Sequence, residues 1–193
     1  MMATRIRFAG SFLCCCLLAV ACTFAFSQEA APAKPAVGTP IPPAQAYGKL
    51  LSGMEQEFVS AAEAMPDDKY DFAPAATAGD FKGVRTFGEQ VSHVAEANTF
   101  FFHDPSKPMV DNRAEYAKLK TKAEIVKALK DSFTQAHAYC DAITPENAFV
   151  MTANGTRGGM AAFGIAHMMD HYGQMVVYLR MNGIVPPASR PNK

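Results

Sequence analysis

Between Val126 and Ile143 the apolar residues Val126, Leu129, Phe133, Ala136, Cys140 and Ile143 recur every three or four positions. Only an α-helix gathers such a series on one face, so this segment must bury a stripe against other elements. Thr121 with Glu124 ahead of it forms a capping box, in which each side chain serves an orphan amide of the first turn. Three further segments read the same way. Leu51, Met54, Phe58, Ala62 and Met65 share a face before Pro66 stops the helix. Thr86 and Glu89 make a second capping box ahead of Val91, Val94, Phe101 and Phe102, and this helix should end near His103-Asp104-Pro105. The last run, Met160 to Asn182, is closed by Gly183 and Pro186.

Four amphipathic helices without period-two alternation between them predict an all-α fold, an up-down four-helix bundle with a single core over residues 44–187. The segment from Asp67 to Val84, with Pro74, Gly79 and Gly83, reads as an ordered connection rather than a strand, and Asn154-Gly155 as a turn. Residues 188–193 are a short tail. Residues 28–43, rich in Ala and Pro, hold too few large apolar groups to offset their ordering entropy and are expected to form a disordered tether.

Ahead of the tether, Arg5 and Arg7 precede an apolar run from Phe8 to Phe26 that ends in small residues, the pattern of a signal peptide over residues 1–27. The expectation is export, to a periplasmic or secreted location, with no membrane contact after cleavage. A retained anchor helix and lipid attachment at Cys22 are the alternatives. Cleavage would leave Cys140 as the sole cysteine, which excludes an internal disulfide, and its place in the apolar stripe marks a buried structural thiol. With 18 Lys and Arg against 18 Asp and Glu, the chain has no net charge with which to track a nucleic acid backbone. Pairing into a homodimer through an exposed helix face is compatible with a bundle of this size.

The chemistry concentrates on the last helix. Met160, Phe163, His167, His171, Gln174, Met175 and Tyr178 fall within a narrow sector, so the sequence predicts two imidazoles and an amide on its core stripe. An unpaired buried polar group costs about 1–3 kcal/mol, and three on one stripe demand partners. Histidines at i and i+4 can direct ring nitrogens at one ion about 2.0–2.1 Å away, as in HExxH helices, although Met168 here stands where that motif has its glutamate. A core histidine pair held by ordinary hydrogen bonds is the competing reading. The third ligand must come from another helix, with His93, His103 and His137 as candidates.

The run His167-Met168-Met169-Asp170-His171-Tyr172-Gly173-Gln174, followed by Tyr178-Leu179-Arg180-Met181-Asn182-Gly183, resembles the final-helix signature of the DinB family. Thr86-Phe87-Gly88-Glu89 leading to His93 and Phe100-Phe101-Phe102 is similar to that family's metal-bearing second helix. The resemblance spans roughly residues 44–187 and implies a four-helix bundle with a three-histidine site. Carried over residue by residue, it makes His93, His167 and His171 the ligands of a divalent metal, with zinc or nickel the first expectation and copper or iron the others.

Three neutral imidazoles would leave such an ion its full charge, able to acidify water or ionise a thiol. The expected function is therefore metal-dependent hydrolysis or thiol S-transfer on an unidentified small-molecule substrate. The alternative is a non-catalytic, metal-stabilised bundle that binds a ligand or partner. Glu96, one turn after His93, and Asp170, beside His171, are the candidate bases. Gln174 is the candidate for holding a metal-bound water.

Overall fold

The computed structural model describes residues 34–191. The expected leader, the Cys22 lipidation site and the first part of the tether lie outside the described residues, as does the end of the tail. The described part of the tether carries only a turn, at Val37 and Gly38.

The four expected long helices are present as α1 (Pro43–Ala64), α2 (Phe87–Phe101), α4 (Lys122–Asp141) and α5 (Arg157–Met181), with a one-turn helix α3 (Arg113–Tyr116) between the second and the fourth. Pro43 occupies the first turn of α1, where its missing N–H would have no partner anyway, and Met65-Pro66 ends it in extended geometry. Both capping boxes form, at Thr86 and at Thr121. Two short strands, β1 (Met151–Thr152) and β2 (Gly155–Thr156), pair antiparallel around the Asn154-Gly155 turn and lead into α5. The turn was expected. The two-residue strands are too short for alternation to reveal.

The four long helices pack as a ring in which α1 and α2 each touch α4 and α5. Their directions follow from paired residues. Glu55 meets His137 and Glu63 meets Lys130, so α1 and α4 are antiparallel. Gln90 bonds Gln174 while Phe101 stacks on Phe163, so α2 and α5 are antiparallel. Gln135 donates to the Phe102 carbonyl, and Ser132 accepts from the Asn98 amide, so α2 and α4 run parallel. The bundle thus runs up, down, down, up, and the segment between α2 and α4 must return along its length. Residues 102–121, carrying α3, make that return and wall one side of a groove described below.

One continuous core holds the expected faces: Leu51, Met54, Phe58, Ala62 and Met65 from α1, Val91, Val94, Phe101 and Phe102 from around α2, and Leu129, Phe133, Ala136, Cys140 and Ile143 from around α4. The exception is α5. Its buried face runs through Met160, Ala161, Gly164, Ile165, Met168, His171, Met175, Tyr178 and Leu179, while Phe163 is 61% exposed and His167 and Gln174 are half-buried. Of the predicted stripe, Met160, His171, Met175 and Tyr178 are buried as expected, while His167 and Gln174 lie along the α2 seam and Phe163 reaches solvent. A centre of burial one residue further on carries the packing. No helix among the described residues is long and apolar enough to cross a membrane.

Cys140 is fully buried, and desolvation pushes its thiol up to about 12. At pH 8 it should resist an aromatic disulfide reagent in native buffer and react fully in denaturant, with modification followed at the Cys140 peptide by mass spectrometry. Rapid native labelling would contradict this packing.

Candidate metal centre

The position of His93 is prepared at the start of α2. The amides of Phe87 and Gly88 donate to the carbonyls of Phe72 and Tyr70, that of Glu89 donates to Thr86 Oγ1, and that of Thr86 donates to Glu89 Oε2. Every amide of the first turn therefore has a partner, which a helix end otherwise lacks. Gly88 allows the close approach, since a Cβ there would lie 2.9 Å from the Tyr70 ring. Two turns later His93 faces α5.

There the ring of His93 stands 5.2 Å from that of His167 and 4.9 Å from that of His171, which are themselves 4.6 Å apart, each pair at a steep angle. One ring nitrogen from each lies within 4.8 Å of the other two. Among the described residues this is the one cluster of metal-ligating type. The other histidines are engaged elsewhere: the carbonyl of Lys107 accepts from His103 in a loop, and His137 pairs with Glu55 at 2.7 Å across α1 and α4.

A directed chain of hydrogen bonds orients His171. The Asp170 carboxylate can only accept, so Gln174 turns its NH2 towards it, at 3.2 Å, and its carbonyl oxygen towards Gln90. Gln90 Nε2 donates to that oxygen at 2.8 Å, which leaves Gln90 Oε1 to accept from His171 Nδ1 at 2.5 Å. Read from the carboxylate inwards, each bond fixes the next. His171 must carry its proton on Nδ1 and keep the Nε2 lone pair free for a ligand role.

Glu96 Oε2 lies 3.6 Å from His93 Nδ1 and biases that ring in the same sense. His167 Nδ1 is buried with no hydrogen-bond partner among the described residues, a polar atom whose burial an ion shared with its neighbours would compensate. The edge of the site is closed by Phe101, whose ring sits 5.1 Å from that of His167.

All three imidazoles are held below the ordinary histidine range. Burial is the main cause in each; for His171, pushed down to about 4, the neighbouring His167 and His93 add to it. The Asp170 carboxylate opposes this on His167 and His171, and Arg85 adds a smaller depression to all three. The trio is therefore neutral at physiological pH, the form in which imidazole binds a metal. Donor type, convergence and the orphaned nitrogen all fit a divalent ion of the zinc or nickel kind.

Of the candidate bases, Glu96 is half-buried beside His93 and lines a groove of about 890 Å³ that also meets Gln90, Gln174 and Arg85. The Asp170 carboxylate accepts from Gln174, and so anchors the hydrogen-bond chain. Gln174 acts through Gln90. Gln90 itself was not among the sequence-derived candidates, although a polar residue on the buried face between Phe87 and Val94, three before His93, carries the same signal that singled out the histidines.

No curated protein matches this chain. A crystal structure from Exiguobacterium sibiricum 255-15, described as a candidate member of the DinB family and solved at 1.70 Å, is similar in fold, with a TM-score of 0.54 at 16% identity over 72% of this chain and 91% of that one. The family model described as DinB superfamily matches residues 50–175, which contain all three histidines and both glutamines of the seam. This chain belongs to the DinB superfamily.

Proposed function

We propose that the protein holds one divalent ion on His93, His167 and His171, with coordination positions left for water or a small substrate, and that it catalyses metal-assisted hydrolysis or thiol transfer. The observation that supports this most is the chain from Asp170 to His171, which presents Nε2 in ligand-ready form toward two other neutral imidazoles. Among the described residues the cluster has three members, whereas structural zinc sites are usually closed by four protein ligands. The ion, once bound, would lower the pKa of a coordinated water or thiol. Glu96 is the group best placed to take a proton near His93. Export to a periplasmic or secreted location, where the substrate would be met, is part of this proposal.

Elemental analysis of the purified protein, with cobalt substitution to read coordination, tests it. His93→Ala, His167→Ala and His171→Ala should each lose most bound metal while remaining folded. Full metal content in all three variants would remove the proposal.

A further inference from the structure

The groove of about 890 Å³ runs from Arg85, just ahead of the α2 cap, to His93 and Glu96, with the returning α3 segment as its other wall. It contains three cations. Arg113 forks onto Asp111, 2.6 Å away, and Lys120 donates to the carbonyl of Ala117. The guanidinium of Arg85 makes no ion pair and no hydrogen bond among the described residues. Its backbone, by contrast, is fixed, because Tyr178 on α5 donates to its carbonyl at 3.1 Å.

Three acids line the groove; Asp71 has no ion-pair partner among the described residues, and the other two are engaged. Glu89 accepts from the Thr86 amide, and Glu96 faces the His93 ring. The helix rise from residue 86 to residue 93 separates Arg85 and His93 by roughly 10 Å of backbone. Both residues line the groove, and His93 is the one of the three clustered histidines that does, so a ligand lying along the groove meets the centre at that ring.

We propose that Arg85 is an anion subsite, and that the substrate of the metal centre is a small organic acid whose carboxylate or phosphate is gripped by this guanidinium while a second group reaches the ion. This rests on the open-metal reading given above. A planar guanidinium matches both oxyanions through two parallel N–H donors.

The experiment uses the full chain loaded with cobalt and two probes followed by the visible cobalt bands: imidazole, a neutral metal ligand, and benzoate, an anion. Phenyl phosphate, run beside benzoate, separates carboxylate from phosphate preference. Arg85→Gln should weaken the preferred anion roughly 10- to 100-fold, the range of a charge-assisted hydrogen bond, and leave imidazole affinity within about twofold. Arg85→Lys should recover part of the loss. The side chain is exposed, so circular dichroism should show both variants folded. If imidazole binds but the anions bind equally to wild type and Arg85→Gln, or to neither, the subsite is overturned and the open metal stands. If neither imidazole nor anion perturbs the cobalt, the open-metal reading falls and the subsite falls with it.

Discussion

Gln90→Leu is expected to weaken metal binding roughly 10- to 100-fold, the usual effect of removing a hydrogen-bond partner of a ligating histidine. The substitution is close to the original in volume but takes away the oxygen that accepts from His171 Nδ1. The ring then has no fixed tautomer, and a share of molecules would place the proton on the nitrogen meant for the ion. It also leaves Gln174 Oε1 without its donor, so the tie between α2 and α5 at that level is lost. Gln90→Glu should behave differently: it can still accept from His171 but would set an acceptor against Gln174 Oε1. Competition titration against a chromophoric chelator separates the cases. Unchanged affinity in Gln90→Leu would mean that packing alone orients His171.

Gly164→Ala should destabilise the protein by about 1–3 kcal/mol and Gly164→Val by more, the range for overpacking a filled core. A Cβ at this position would lie 2.7 Å from two ring atoms of Phe102 and 2.9 Å from Phe101 Cβ. Phe102 is 1% exposed, and its far side packs on Tyr139, so the ring has nowhere to go. Helix propensity favours alanine over glycine by about 1 kcal/mol, which offsets only part of the clash. Gly173, on the same helix, has nothing within 4 Å of a built Cβ. Gly173→Ala should therefore stabilise the fold by about 0.5–1 kcal/mol. Urea unfolding of the two alanine variants should give opposite signs. Because Gly164 lies one turn before His167, its substitution should also part α5 from α2 and lower metal affinity, an effect that Gly173→Ala should not share.

The repeat of apolar residues and the two capping boxes made the helices legible, because burial and caps act locally and leave local marks. Phe163 shows where that stops. Periodicity reports which residues share a face, and Phe163, His167 and Gln174 do share one, but it does not report whether the face meets a core or a groove. What decides this is the partner helix, and α2 meets α5 along a seam that exposes its outer edge. Residues 102–121 illustrate a second limit. Their scattered prolines and charges carry no stripe, so nothing local announces that they return along the bundle or that Arg113 and Tyr116 wall the groove. His93 was readable only as one candidate among three until family likeness was considered, since a half-buried histidine at the edge of a stripe looks the same whether it meets a ligand partner, as His93 does, or an acid, as His137 does with Glu55.

The cap at Thr86 acts as the origin of a screw. Each residue added or removed between it and His93 turns every later side chain by about 100° and shifts it about 1.5 Å along the axis. Because four hydrogen bonds clamp the first turn, such a slip cannot be absorbed at the start of the helix. A single deletion in that interval would swing the imidazole out of the α2–α5 seam even if the bundle closed normally. The spacing from residue 86 to residue 93 is thus a measured length in the fold, less tolerant of insertion than the loops on either side.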